Sequence, residues 1–244
     1  MEKIPDLCSV LPGHQRVKMP EITGLRAVTR RQGYVQVSVD GEILGMIKAE
    51  DADRLGLREH VAIDEAPLEQ ILALADDARA RVVGERFVAF RPRTEQEVRQ
   101  RLRRDKFSPE RVESTVGWLV AQGLLDDRRF ADMWVENRTA FSPRSPRLLQ
   151  AELRRKGVER QIIDDVLAQP TLPGEADLAL EAARGRARRS AGLSRDAFDR
   201  RLGGFLGRRG FSFEAIRSAL DRLWLESGSA AHEDGPQEAD HGSL

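Results

Sequence analysis

The chain has 244 residues, 40% of them hydrophobic and 33% charged, which suits two small domains or an extended array better than one sphere. No apolar run approaches the roughly 20 residues of a membrane span, the opening MEKIPDLCSV lacks the apolar core of a signal peptide, and the single cysteine, Cys8, excludes an internal disulfide. The balance of 40 basic and 40 acidic residues hides an asymmetry: residues 1–78 hold 9 and 14, residues 79–226 hold 31 and 22, and residues 227–244 hold none and 4. A cytoplasmic protein with a basic middle region is expected. Of the basic residues 35 are Arg, whose planar fork fits phosphates and carboxylates. Codon bias in a GC-rich genome accounts for that ratio equally well, so the location of the charge is the better evidence.

Residues 1–20 contain Pro5, Pro12, Gly13 and Pro20 without any period, and a loose arm is expected there. Residues 21–64 read as a small acidic module, with strands over 25–48. Tyr34, Val35, Val37 and Val39 alternate, Asp40-Gly41 follows, and Ile43, Leu44, Met46 and Ile47 form a second run. Asp-Gly between two such runs is a hairpin signal, because both central residues of a type I′ turn need positive φ. A short helix over Ala49–Leu55 ends at Gly56, and Val61 and Ile63 offer one more short strand.

From Asp64 the period becomes helical. Leu68, Ile71, Leu72, Ala75, Val82, Val83, Phe87 and Phe90 fall at helical spacings up to Pro92. Beyond it the chain repeats itself. Ala89-Phe90-Arg91-Pro92-Arg93-Thr94 matches Ala140-Phe141-Ser142-Pro143-Arg144-Ser145, and LRRDKFSPERVESTV (102–116), LRRKGVERQIIDDVL (153–167) and LGRRGFSFEAIRSAL (206–220) share one frame. Leu102, Leu153 and Leu206 lie near the end of a second helix, Gly157 and Gly210 supply its left-handed terminator, and Phe107, Val158 and Phe211 fold back on it. Unit one has Lys106 in place of the glycine, so slight strain is expected there. Phe130, Met133, Trp134 and Phe141 are the apolar positions of the first helix of unit two.

The fold class is therefore mostly α: three tandem three-helix repeats forming an elongated curved array, preceded by the small β-containing module. The repeats are placed at 65–125, 126–170 and 171–226, with stacking between neighbours completing the core. The polar, acidic residues 227–244 are expected to be a disordered tail.

Gly123-Leu124-Leu125-Asp126-Asp127-Arg128-Arg129-Phe130-Ala131, Ser145-Pro146-Arg147 leading to Glu152-Leu153-Arg154-Arg155-Lys156-Gly157, and Leu206-Gly207-Arg208-Arg209-Gly210-Phe211-Ser212 follow one another in order. With Arg91-Pro92-Arg93-Thr94-Glu95-Gln96-Glu97-Val98, this pattern resembles the RecX family of RecA regulators over residues 30–225. The resemblance implies three tandem three-helix repeats. It also implies binding to RecA within the groove of the RecA–DNA filament, restraint of its recombinase and co-protease functions, and a place in recombination, DNA repair and the SOS response.

No catalytic constellation is visible. His14, His60, His232 and His241 are scattered, and no zinc, phosphate-loop or nucleophile motif occurs. A non-enzymatic protein without cofactor, metal, membrane or small-molecule substrate is expected. Asp126-Asp127 reads as a helix cap rather than a metal site. Gly203-Gly204 reads as close helix packing, and Trp118, Trp134 and Trp224 as core or inter-repeat packing rather than base stacking.

The candidate contact residues are basic. Arg104, Arg155 and Arg208 form an aligned column flanked by Arg103, Arg154, Lys156 and Arg209. One reading is cations stabilising helix C-termini. The other is a repeated basic spot able to meet phosphates or an acidic protein surface. Arg93 and Arg144 lie in loops after a proline, where the alternatives are partner contact and a hydrogen bond closing the turn. The expected partner is the RecA filament, with single- or double-stranded DNA as a further candidate. The alternatives are a stand-alone helical DNA-binding protein and an adaptor for another protein.

Overall fold

The computed structural model describes residues 19–233, which divide into two compact units between Val83 and Gly84. The arm expected over 1–20 lies outside the described residues apart from Met19 and Pro20, as does most of the tail.

The first unit holds an antiparallel sheet in the order β1 (Ile22–Ala27), β2 (Tyr34–Val39), β3 (Glu42–Lys48), followed by α1 (Ala49–Arg54). The β2–β3 hairpin turns at Asp40 and Gly41 with φ of +47° and +85°, the sign that the turn requires. Only the second half of β1 falls within the 25–48 stretch that reads as strands. Ile22-Thr23-Gly24-Leu25-Arg26-Ala27 lacks clean alternation, and its pairing shifts register between Ile22 and Gly24. Val61 contributes a carbonyl to Ile22 at 3.0 Å and His60 donates its amide to the Ile22 carbonyl at 2.7 Å, so the segment before α2 (Glu65–Phe90) lines the free edge of β1.

Ile22, Val37 and Ile47 form the apolar face of this sheet, and Ile71 and Ala75 of α2 cover it. The compact unit therefore runs past the boundary expected at 64. A three-stranded sheet with one apolar face is stable only when something buries that face, and the first half of α2 does so.

Among the described residues the second unit is nine helical segments in three sets. The second half of α2 joins α3 (Glu95–Arg104) and α4 (Pro109–Ala121). The second set is α5 (Asp127–Phe141), α6 (Pro146–Arg155) and α7 (Arg160–Leu167), and the third is α8 (Glu175–Arg188), α9 (Arg195–Arg208) and α10 (Phe213–Glu233). α10 thus continues into the first part of the segment expected to be disordered. Ser108 and Ser145 cap α4 and α6 ahead of a proline at the first helical position, and Asp126 caps α5.

Each later repeat encloses its own core. Phe130, Leu149, Leu153, Val158 and Ile163 cluster in the second, and Leu178, Phe198, Leu202, Leu206 and Leu223 in the third. Stacking between repeats does not complete these cores, contrary to the expectation, because three helices already close around their shared apolar faces. Some apolar positions assigned to those faces point outward: Phe90 is 85% exposed and Phe141 82%. Each is the last residue of its helix, where the period carries the side chain past the core. Leu72 and Met133 are exposed as well. Of the α9 glycines, Gly203 approaches Leu220 and Ile216, while an added Cβ at Gly207 would meet open space, so close packing holds at one position only.

The repeats meet through polar groups at helix ends. The buried Thr94 hydroxyl accepts the Glu97 amide at 3.2 Å, in a capping box, and donates to the Lys156 carbonyl at 2.7 Å. One repeat later Ser145 caps α6 and its amide donates to the Arg209 carbonyl at 3.2 Å. Gly157 and Gly210 take φ of +84° and +80° at these seams. A Cβ on Gly157 would lie 2.3 Å from Gln96 Cβ, and one on Gly210 would lie 2.7 Å from Ser145 Oγ. Glycine is thus required twice over, by the backbone and by the neighbouring repeat. Lys106 holds the equivalent place in the first repeat with φ of +64° and an exposed side chain. There only the backbone term remains.

Lys106→Gly should therefore stabilise the protein by about 1 kcal/mol, whereas Gly157→Ala should destabilise it by more than about 2 kcal/mol; urea denaturation measures both. Leu153→Ala should cost about 2–5 kcal/mol, and hydrogen exchange should show the loss of protection concentrated in α5–α7 rather than α8–α10.

Candidate functional site

The nine basic residues singled out in the sequence separate by what they touch. Four are held within the fold. Arg93 stands 3.9 Å over the Phe87 ring and donates through Nε to the Phe87 carbonyl at 3.4 Å, which closes the α2–α3 turn. Burial, with the charge of Arg91, lowers its pKa. Arg144 is bonded to Glu152. Lys156 Nζ meets Glu97 at 2.8 Å and lies 5.3 Å from the Trp134 ring. Arg209 donates to the Pro143 carbonyl at 2.8 Å. The turn-closing bond is present at Arg93, whereas Arg144 pairs with the Glu152 side chain of α6.

Arg103 is exposed, with Glu113 3.7 Å away. Arg104, Arg154, Arg155 and Arg208 are exposed too, and none has an ion pair among the described residues. Arg104, Arg155 and Arg208 are the last helical residues of α3, α6 and α9. Each repeat thus carries one exposed guanidinium, without an ion pair among the described residues, at the end of its second helix.

The carboxylates that pair with Arg144 and Lys156 were missed. Glu152 is 8% exposed and receives Trp134 Nε1 at 2.9 Å and Arg138 Nε at 3.2 Å in addition to Arg144. Its signal was available: Leu149, Glu152 and Leu153 share the buried stripe of α6, and a carboxylate on such a stripe must be paired. At Glu97 burial raises the pKa, but the bonds and charges of Lys156 and Arg91 outweigh it and leave the carboxyl below its ordinary range.

Asp126 and Asp127 cap two different helices. Asp126 accepts the Arg129 amide of its own helix at 2.9 Å, and Asp127 accepts the Glu95 amide at the start of α3, also at 2.9 Å. The equivalent residue opening α6 is Pro146, which has no N–H to satisfy. Burial raises the Asp127 pKa despite that bond. Among the described residues no group of three or more His, Cys, Asp or Glu side chains converges as a metal site would, and no helix is long and apolar enough to cross a membrane.

Family models for the first, second and third three-helix domains of RecX match residues 80–119, 126–167 and 174–220, together more than half of the chain. The chain belongs to the RecX family. It is 35% identical to the regulatory protein RecX of Amycolatopsis mediterranei, over 57% of this chain and 82% of that protein. It is 37% identical to the one of Mycobacterium avium, over 56% and 79%. The fold matches a crystal structure of regulatory protein RecX with a TM-score of 0.65 at 24% identity, covering 83% of this chain and all of that one. It also matches RecX from Lactobacillus salivarius with a TM-score of 0.53 at 23% identity, covering 62% and 99%. The chain is thus a RecX-type regulatory protein, and its seams fall between the family's successive domains.

Glu97 joins two of those domains. Because its folded pKa is depressed, its contribution is complete above its ordinary value and is lost as pH falls through the lower folded value. Glu97→Gln, which keeps a capping-box acceptor, should cost about 1–2 kcal/mol near neutrality. That gap should close as the pH is lowered below about 4, as read from urea denaturation of both proteins across pH.

Proposed function

We propose that this RecX-family protein is a cytoplasmic, non-enzymatic regulator, mainly an inhibitor, of the RecA recombinase. It acts by lying along the RecA–DNA filament and touching more than one subunit. The observation that carries this reading is the unpaired column Arg104, Arg155 and Arg208, one guanidinium per repeat at the same helix end. A helix terminus needs only some cation nearby, and Arg103, Arg154, Lys156 and Arg209 already supply one. A periodic set of free guanidiniums suits a periodic partner. Three tethered contacts of modest strength multiply into tight binding, because each later one is intramolecular. Restraint of RecA then follows if the bound form favours one filament arrangement over another.

Reversing all three to Glu should preserve the helical circular dichroism signal, since the side chains are exposed. Binding to RecA filaments should fall about a hundred-fold or more, because opposite charge now faces the contact. Inhibition of RecA strand exchange and ATP hydrolysis at substoichiometric protein should fall in parallel. A folded triple variant that restrains RecA as well as the parent would place the contact elsewhere.

A further inference from the structure

The end of α8 is crowded with arginine: Arg184, Arg186, Arg188 and Arg189 stand within residues 184–189. A helix C-terminus is already served by a cation or two in its last turn. Arg184 is matched by Glu181 at 2.6 Å and by Glu226 of α10 at 3.3 Å. The guanidinium carbon of Arg186 lies 4.2 Å from the centre of the Phe205 ring. Arg188 and Arg189 are exposed, and among the described residues neither has an ion pair or a side-chain hydrogen bond.

Arg188 borders an open cleft of about 520 Å³ between the ends of α8 and α10. Buried Ala187 and Leu223 and the charged Arg184, Arg188 and Glu226 line it. The two helices run side by side in the same direction. Ser212 bonds Glu175 at 2.9 Å near both starts, Arg222 meets Asp177 at 2.7 Å, and Glu226 meets Arg184 further along. α10 continues to Glu233, which at 1.5 Å per residue carries it about 5 Å past the level of Arg188.

The chain that follows is the complement of this surface. Residues 234–244 hold Asp234, Glu238 and Asp240 and neither Lys nor Arg. Gly235-Pro236 supplies the residues of a chain reversal. Glu238 lies five residues past Glu233, about 16 Å of extended chain, which is ample to return to Arg188 and Arg189. A tethered segment acts at a local concentration in the millimolar range, so even weak ion pairs are occupied for much of the time. An acidic segment of another protein would have to displace it.

We propose that the acidic segment 234–244 folds back onto the end of α8, with Glu238 and Asp240 against Arg188 and Arg189, and competes with outside anions for that surface. This goes beyond the RecA reading and does not rest on it.

The test compares the full chain with a tail variant, Asp234→Asn/Glu238→Gln/Asp240→Asn, and a helix variant, Arg188→Gln/Arg189→Gln, with no RecA present. Circular dichroism confirms the fold of each. In 15N spectra the tail variant should shift the backbone amides of residues 186–191 and leave those of Arg104 and Arg155 in place. Those differences should vanish in about 1 M salt, where the Debye length is about 3 Å. A fluorescent heparin hexasaccharide should bind the tail variant about ten-fold more tightly than the parent in low salt. In the helix-variant background the same tail changes should gain less than about two-fold, because the contact they release is already gone. A ten-fold gain that persists without Arg188 and Arg189 overturns the proposal, since the tail then acts only through its overall charge. Unmoved amides at 186–191, or shifts centred on Arg104, Arg155 and Arg208 instead, overturn it as well.

Discussion

The hydroxyl of Thr94 joins the two ends of different helices. It accepts a free amide at the start of α3 and donates to a free carbonyl at the end of α6. Helix termini each leave four backbone groups without partners, and burying them uncompensated costs about 1–3 kcal/mol apiece. Here one repeat's unsatisfied start meets the next one's unsatisfied end, so the same contact caps both and sets the seam. The second seam repeats the arrangement with Ser145 and Arg209. Because the join is made by backbone groups at close range, the residue after the C-cap must be glycine. This is why the replacement by Lys106 occurs in the one repeat whose helix end meets no earlier seam.

The seam also decides which cations are available. The C-cap cations, Lys156 and Arg209, are drawn inward by their carbonyl bonds and become part of the join. The residue one step earlier, Arg155 or Arg208, rotates by a hundred degrees or so about the helix axis and faces water. Adjacent arginines in one basic run thus have opposite fates. Lys156 is matched by Glu97 at the first seam, whereas its counterpart Arg209 has no carboxylate partner among the described residues, the place of Glu97 being taken by Leu148. A repeat protein can hold its geometry while exchanging charge for apolar surface at chosen seams, since a cation over an aromatic face retains attraction without a counter-ion.

Independent cores and polar seams also bear on motion. Joins made of a few hydrogen bonds and one or two ion pairs are weaker than the cores they connect. Sub-global opening should therefore begin at the seams.

Much of this was legible in the sequence. The 51- and 53-residue offsets, the Asp-Gly turn, the caps at Ser108, Asp126 and Ser145 and the terminators at Gly157 and Gly210 all depend on local backbone chemistry, which acts within a few residues and so leaves its mark in spacing. The first half of β1 left no such mark, because an edge strand with a bulge owes its pairing to its neighbours. Nor did the sequence show that the first half of α2 belongs to the sheet's core, that Phe90 and Phe141 are exposed, or that Arg144 is consumed by Glu152 while Arg155 stands free. Those outcomes depend on which groups distant in the chain meet, and burial and pairing are properties of the assembled tertiary structure rather than of any local run of residues.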